Sequence, residues 1–282
     1  MSIDISYGIL NYNPGNHPLA RQALHECVTS LRENMHAGFA SEVYIIDQAS
    51  EGNVQQAVVQ DYCNSYGWRS IMLDRNVGIS RGINLLARVS RAEYICLVTS
   101  DVQFTKELDL SLIKTLKTFP GVWQVCPASD NSELEHQRRG YRESGLAETL
   151  AAQELTVQMW PRTTFDRIGY FDERWKACFE NMDFALRIFL AGGRVAVSHD
   201  AFCPHRHAMS VKSGARNRTY DGYLSMPNGF DQNRLHKMWD KKWPGVSWHS
   251  LYQTPPSDDM RSRMLEVFRH NIYLDYVQNV GY

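Results

Sequence analysis

The strongest constraint on the fold is the way short apolar runs and helical stripes take turns through the first hundred residues. Ile3 to Leu10 reads as a strand, Asn13-Pro14-Gly15-Asn16 as a turn, and Ala20, Leu24, Cys27, Val28 and Leu31 as one face of a helix. The pattern then recurs. Val43 to Ile46 is a second strand ending in Asp47, Val54 to Tyr62 suits a helix, and Ile71 to Leu73 is a short third strand. Ile79, Ile83, Leu86 and Ala87 form another helical face that leads into the apolar run Tyr94 to Val98. Strands separated by helices imply a mainly parallel sheet covered on both faces, a Rossmann-like α/β architecture. In such sheets ligands gather at the carboxyl ends of the strands.

Downstream, Leu108, Leu112, Ile113 and Leu116 predict a helix with Thr105 as its cap, and Gly121 to Cys126 a strand. Ser129 to Leu150 is polar enough for a mobile loop with short helical parts, one that would close over a bound donor. Leu155 to Trp160 returns as a strand and Thr163 to Ile168 as a short helix. Met182, Ala185, Leu186, Phe189 and Leu190 share one buried helix face that stops at Gly192-Gly193, and Arg194 to Val197 is a strand. A final helix is expected over Met260 to Val277. The 282 residues, 43% hydrophobic and 22% charged, are enough for one substantial core. No apolar run approaches the roughly 20 residues that cross a bilayer, and the first strand starts too early for a signal peptide. The six cysteines lack Cys-x-x-Cys spacing and fall in apolar contexts, so a reducing cytoplasm without structural zinc is expected. A net charge of −1 excludes a wholly electrostatic nucleic-acid binder.

The chemistry concentrates at strand ends. Asp101 follows Tyr94 to Val98 and Thr99-Ser100, where an oxygen ligand can serve a cation or a phosphate; Thr99 stands where a second acid would complete a two-carboxylate site. His205 and His207 follow Pro204, and neutral imidazole beside a carboxylate suits manganese better than magnesium. Glu180 and Asp183 open the buried helix with Asn181 between them; acids there gain about 0.3 to 1 kcal/mol from the helix dipole, yet the polar cluster exceeds what capping requires. Asp47 either accepts the imide proton of a uracil ring or closes an Asx turn. Asn11, Tyr12 and Asn13 would form the neighbouring wall. Arg75, Asn76 and Arg81 are placed for a diphosphate or ribose, with Gly78 permitting close backbone approach.

Six segments in order, Ile9 to Asn13, Ile45 to Ser50, Asn76 to Asn84, Leu97 to Val102, Gly169 to Glu173 and Phe179 to Asp183, resemble the serial motifs of family 2 glycosyltransferases with a GT-A fold. The resemblance spans about residues 3 to 215, which divide into a nucleotide-binding half, 1–102, and an acceptor half, 103–215, with a mostly helical extension over 216–282. It implies a hexosyl- or N-acetylhexosaminyltransferase that moves a sugar from a nucleotide-diphosphate donor, expected to be a UDP-sugar, to an acceptor hydroxyl, with Mn2+ or Mg2+ as cofactor. By the same resemblance Asp47 would read the base, Ser100 would line the donor site, and Asp101 and His205 would hold the cation. Glu180 to Gly193 also resembles the Glu-Asn helix of polypeptide N-acetylgalactosaminyltransferases. Inverting relatives place a basic aspartate where Asn181 stands, and an amide cannot take a proton. Two mechanisms follow: inversion with Glu180 or Asp183 as base, or retention with Asn181 holding hydroxyls while the leaving phosphate assists.

Between Arg206 and Lys242 eight basic residues face three acidic ones, interleaved with Tyr220, Tyr223, Trp239 and Trp243. This segment, with Trp160, Trp175, Arg138 and Arg139, is a candidate platform for a phosphate-bearing acceptor, a glycan, lipid-linked group, protein or nucleic acid. Two other classes compete. A catalytically silent sugar-nucleotide or carbohydrate-binding module would account for Thr99 and Asn181, and a nucleotidyltransferase of similar architecture would need an early glycine-rich loop, for which Asn11 to Gly15 is a poor substitute.

Overall fold

A computed structural model describes residues 2–50, 53–130, 132, 134–149, 156–176, 178–206 and 232–247, with 251, 259 and 262 beyond. Eight strands form one sheet: β1 (Ile5–Asn11), β2 (Ser41–Gln48), β3 (Arg69–Leu73), β4 (Tyr94–Thr99), β5 (Val122–Ala128), β6 (Leu146–Thr149), β7 (Val157–Pro161) and β8 (Arg194–Phe202). Their order is β3-β2-β1-β4-β7-β5-β8-β6. The first four strands pair in parallel, β5 pairs in parallel with β8, and β7 and β6 run antiparallel to their neighbours. The helices among the described residues are α1 (Pro18–Asn34), α2 (Asn53–Tyr66), α3 (Ile79–Val89), α4 (Leu108–Thr118), α5 (Arg162–Ile168), α6 (Glu180–Leu190) and α7 (Gln232–Lys242). The alternation read from the first hundred residues is thus a parallel half-sheet with its crossover helices.

Strand periodicity divides the core in two. Ile5, Tyr7, Ile9, Val43, Ile45, Cys96 and Val98 face a layer that includes Leu24, Val28 and Leu31 of α1 and Leu112 and Ile113 of α4. Leu10, Tyr44, Ile46, Ile95 and Leu97 face the other way, toward Ile83 and Leu86 of α3 and Phe184 and Ile188 of α6. Glycines let α3 lie close on β1: a Cβ at Gly8 would meet the Leu86 side chain at 2.3 Å. A third cluster joins Trp175, Met182, Leu186 and Phe189 to Trp239 and Trp243, so α7 is packed onto α6 by large aromatic area.

Four expectations change. The stretch from Ser129 to Leu150 is anchored where it is described: a helical turn at Glu135–Gln137 buries His136 and Gln137, and β6 pairs with β8. Its polar character reflects an edge strand of four residues, too short to show a period. Thr105 does not cap α4; Glu107 occupies the cap position, and the Thr105 hydroxyl donates to the Phe202 carbonyl at 2.5 Å. Trp160 and Trp175 are core residues, 0% and 1% exposed, rather than an acceptor surface. Trp239 and Trp243 are likewise buried, which removes them from the expected platform; Tyr220, Tyr223 and His207 lie outside the described residues, as does most of the helix expected over 260–277.

Candidate active site

The register of the parallel strands sets the site. Asn11 of β1 pairs with Asp47 of β2, and Leu10 with Thr99 of β4, so the three strands end side by side with β1 in the middle. Strands lie about 4.8 Å apart, which puts the ends of β2 and β4 about 10 Å from each other. The far wall comes from α6. Leu190 leads through Gly192 and Gly193 into the start of β8, and a helix of 11 residues returns about 16 Å along the strands, so α6 begins at the carboxyl edge of the sheet.

At the β1–β2 end, Asp47 is fully buried and its carboxylate is occupied within the protein. Its Oδ1 accepts from Asn11 Nδ2 at 2.7 Å and from Ser50 Oγ at 2.6 Å, and its Oδ2 accepts from Ser50 N at 3.0 Å. The Asx-turn reading of this residue therefore describes its contacts. Ser50 Oγ also accepts from Asn13 N at 2.9 Å, and the Asn13 carboxamide brackets the backbone of His17 at the start of α1. Tyr12 is half-buried between these two asparagines.

Beyond β3, Asn76 Oδ1 accepts from Gly78 N at 2.9 Å, and Gln48 Oε1 accepts from Val77 N, folding this loop over the end of β2. Gly78 has φ of 88°, a conformation open to glycine at little cost, and precedes α3. Arg75, Asn76, Val77 and Arg81 line a cleft of about 330 Å³ together with Glu173 and Lys176. Glu173 and Lys176 were not singled out from the sequence. Arg81 lies 3.7 Å from Glu173, and Asn84 clamps the same loop, its Nδ2 donating to Phe171 O and its Oδ1 accepting from Phe171 N. Two sequence motifs nearly ninety residues apart thus form one wall.

At the β4 end, Asp101 Oδ2 is 3.5 Å from His205 Nε2. Backbone contacts fix the pair: Val102 bridges His205, Arg206 N donates to Asp101 O, and His205 N donates to Asp130 Oδ1 at 3.0 Å. Ser100 sits in the turn between β4 and Asp101. Among the described residues no group of three metal-ligating side chains occurs. A carboxylate oxygen and an imidazole nitrogen held face to face fit a transition-type divalent cation whose other ligands come from a substrate's phosphates.

The two acids of α6 differ sharply. Asp183, 0% exposed, accepts from Arg187 Nε at 3.1 Å, from Trp243 Nε1 at 2.9 Å, and pairs with Lys242 Nζ at 2.5 Å. Glu180 is 5% exposed, and its Oε2 has no hydrogen-bond partner among the described residues. Burial raises its pKa to about 7, tempered by a bond from its own backbone N–H. A helix dipole acts the opposite way but supplies less than one pKa unit, so desolvation wins. The backbone that delivers Glu180 is strained: Cys178 and Phe179 both have positive φ, 62° and 64°. Asn181 follows in the first turn of α6, half-buried.

Lys242 and Trp243 belong to the expected platform segment, whereas the apolar spacing of Trp239 and Trp243 at i and i+4 is the available signal for a buried helix face. Among the described residues, no helix is long and apolar enough to cross a membrane.

No curated protein matches this chain in sequence. Solved structures share its fold. TarS of S. aureus, residues 1–349 in complex with UDP, aligns over 72% of this chain and 60% of its own with a TM-score of 0.54 at 19% identity. The same protein with UDP-GlcNAc gives 0.55 at 19% identity, over 72% of this chain and 58% of that one. GalNAc-T7 with UDP, GalNAc and Mn2+ aligns over 98% of this chain and 58% of its own, with a TM-score of 0.61 at 12% identity. This chain therefore spans about 60% of the length of each of them. The family model described as glycosyl transferase family 2 matches residues 9–186, which run from β1 through the first turns of α6 and stop short of His205. With more than half of its length accounted for in this way, and with the sheet that such enzymes share, the chain belongs to glycosyl transferase family 2.

Proposed function

We propose that this glycosyltransferase moves a sugar from a nucleotide-diphosphate donor to an acceptor hydroxyl, with Glu180 as the group that receives the hydroxyl proton. The observation that carries this reading is the buried Glu180 carboxyl at the carboxyl edge of the sheet, its Oε2 without a partner among the described residues and its pKa about 7. A base whose pKa lies near neutral pH is ionised enough to act and basic enough to take a proton. In the proposed step the acceptor oxygen forms a bond to the anomeric carbon while its proton passes to Glu180. The bond from that carbon to the diphosphate breaks, and its electron pair leaves with the diphosphate. Asp183, spent on Arg187, Lys242 and Trp243, is a poor alternative as base, and the Asn181 carboxamide would orient hydroxyls.

The basic cleft supports the donor side of the reading. Arg75, Arg81 and Lys176 outnumber Glu173 in the lining of the cleft, a balance that suits a phosphate. A divalent cation held by Asp101 and His205 would supply charge neutralisation for the departing diphosphate. The UDP complexes of TarS and the UDP and Mn2+ complex of GalNAc-T7 make a uridine nucleotide and manganese the first choices to test.

The test incubates the protein with a panel of nucleotide sugars, UDP-GlcNAc and UDP-GalNAc first, with manganese, and measures nucleoside diphosphate release. Release from one donor, faster with cell-extract acceptors and abolished by Asp101→Asn, is expected. Calorimetric binding of every donor without release from any would replace the reading with a silent binding module.

A further inference from the structure

We infer that Lys242 and Trp243, at the end of α7, are positioning residues for Glu180, holding the strained turn before α6 by gripping the acids on either side of it. Lys242 Nζ reaches Asp172 Oδ2 at 2.8 Å and Asp183 Oδ1 at 2.5 Å, so one ammonium spans the loop that enters α6 and the first turn of α6 itself. Trp243 Nε1 adds a second bond to Asp183 Oδ1. Phe179 is pressed between Trp175 and Trp239, with ring centroids 5.8 and 5.3 Å away. Two successive non-glycine residues in the left-handed region cost about 1 to 3 kcal/mol each and persist only where their surroundings over-determine them. At Cys178 and Phe179 those surroundings include a helix about sixty residues further along the chain.

A buried ammonium between two carboxylates is expensive to assemble unless it does more than add stability, since well-packed apolar side chains hold helices together as well. Its geometry suggests what more it does. Asp183 is one helical turn from Glu180, so fixing Asp183 fixes the rotation of the first turn and the aim of the Glu180 carboxyl. The charged or titratable groups around this turn include Asp172, Arg174 and Lys176 on the loop, Asp183 and Arg187 on α6, and Lys242 and His236 on α7. Burial raises the Glu180 pKa and a bond from its own backbone N–H lowers it; these charges are not among the causes.

This inference rests on the reading of Glu180 as the proton acceptor, but its test does not need turnover. The full chain is labelled with carbon-13 at glutamate side-chain carboxyls, and the Glu180 resonance is assigned by its loss in Glu180→Gln. It is then titrated in the wild type, Lys242→Met and Trp243→Phe, each shown folded by its melting transition. Removing a nearby cation by direct charge would raise a carboxyl's pKa, whereas slackening the turn admits water and lowers it. The expected result is a midpoint at least one unit below the wild type in both variants. Trp243→Phe keeps an aromatic ring in the cluster while deleting the N–H with part of the indole, and where it folds it decides the matter if Lys242→Met does not. A midpoint that stays or rises in the folded variants overturns the positioning role. Turnover separates the two claims: a tenfold lower kcat at a donor KM within twofold accompanies the shift, while full activity in Glu180→Gln would sink the base assignment and leave the resonance result standing on its own.

Discussion

The two walls of the candidate site treat a buried acid in opposite ways. At the β1–β2 corner Asp47 accepts three hydrogen bonds from Asn11 and Ser50, all within a few residues of a strand end. At the start of α6 Glu180 is also buried, yet one oxygen has no partner among the described residues and the preceding backbone is strained. Leaving a buried acceptor unsatisfied costs about 1 to 3 kcal/mol, which a substrate hydroxyl could recover. On the proposed function, saturation assigns the corner to scaffold and the helix start to the substrate.

The contrast breaks most visibly on activity. Glu180→Gln should lower transfer by about 10²- to 10⁴-fold, the usual contribution of a positioned proton acceptor, while the protein melts as the wild type does at pH 5. Retained turnover in a steady-state assay of the best donor would reduce the orphaned oxygen to an accident of packing. Its neighbour should fail in the other direction. Asp183→Ala takes the carboxylate partner from buried Arg187 and one of two from Lys242, and should cost about 3 to 5 kcal/mol in a denaturant titration, because breaking a buried pair leaves a poorly compensated charge.

That one turn of helix holds a saturated acid and one whose oxygen has no partner among the described residues could not be read from Glu180-Asn181-Met182-Asp183. The partners that saturate Asp183 are Lys242 and Trp243, about sixty residues away, and single-sequence patterns carry no register between such distant segments. Local signals fared better. Val43, Ile45, Cys96 and Val98 alternate with Tyr44, Ile46, Ile95 and Leu97, so the strands announce themselves although both faces are buried. Asp101 and His205, expected together as ligands of one cation though about a hundred residues apart, lie 3.5 Å from each other because β4 and the end of β8 converge. Glu173 closes the Gly169 to Glu173 motif, but its place in the cleft, like that of Lys176, depends on contacts of Ile79, Arg81 and Asn84 with that loop. Trp160 and Trp175 misled in the usual manner of aromatics, which serve cores and ligand surfaces alike.

The comparison has a pH signature as well. Glu180 has its pKa raised from 4.5 to about 7 in the folded protein, so the proton is held more tightly by the native state. Stability from this group is complete below the unfolded pKa and is lost as pH rises through 7. At about 1.4 kcal/mol per pKa unit, Glu180→Gln should gain about 3 kcal/mol on the wild type between pH 5 and pH 8. Thermal melts of both proteins across that range read the difference, and parallel curves would show that Glu180 ionises in the native state without cost.

The smallest effect tests the saturated corner by removing its hub. Ser50 Oγ donates to Asp47 Oδ1 and accepts from Asn13 N and from Asn11 Nδ2 at 3.2 Å, so Ser50→Ala deletes one donor to the carboxylate and leaves an amide and a carboxamide N–H short of an acceptor. The loss should be about 1 to 2 kcal/mol, one or two net hydrogen bonds in a site that water reaches poorly. Ser50 carries no titratable group, so this loss should be the same at pH 6 and pH 8, unlike the sloping difference at Glu180. A loss near zero would mean that Asp47 has slack, and a carboxylate with slack at the end of β2 is one that a donor base can claim. The corner would then belong with α6 as a place built to meet a ligand, and scaffold and site would no longer divide between the two walls.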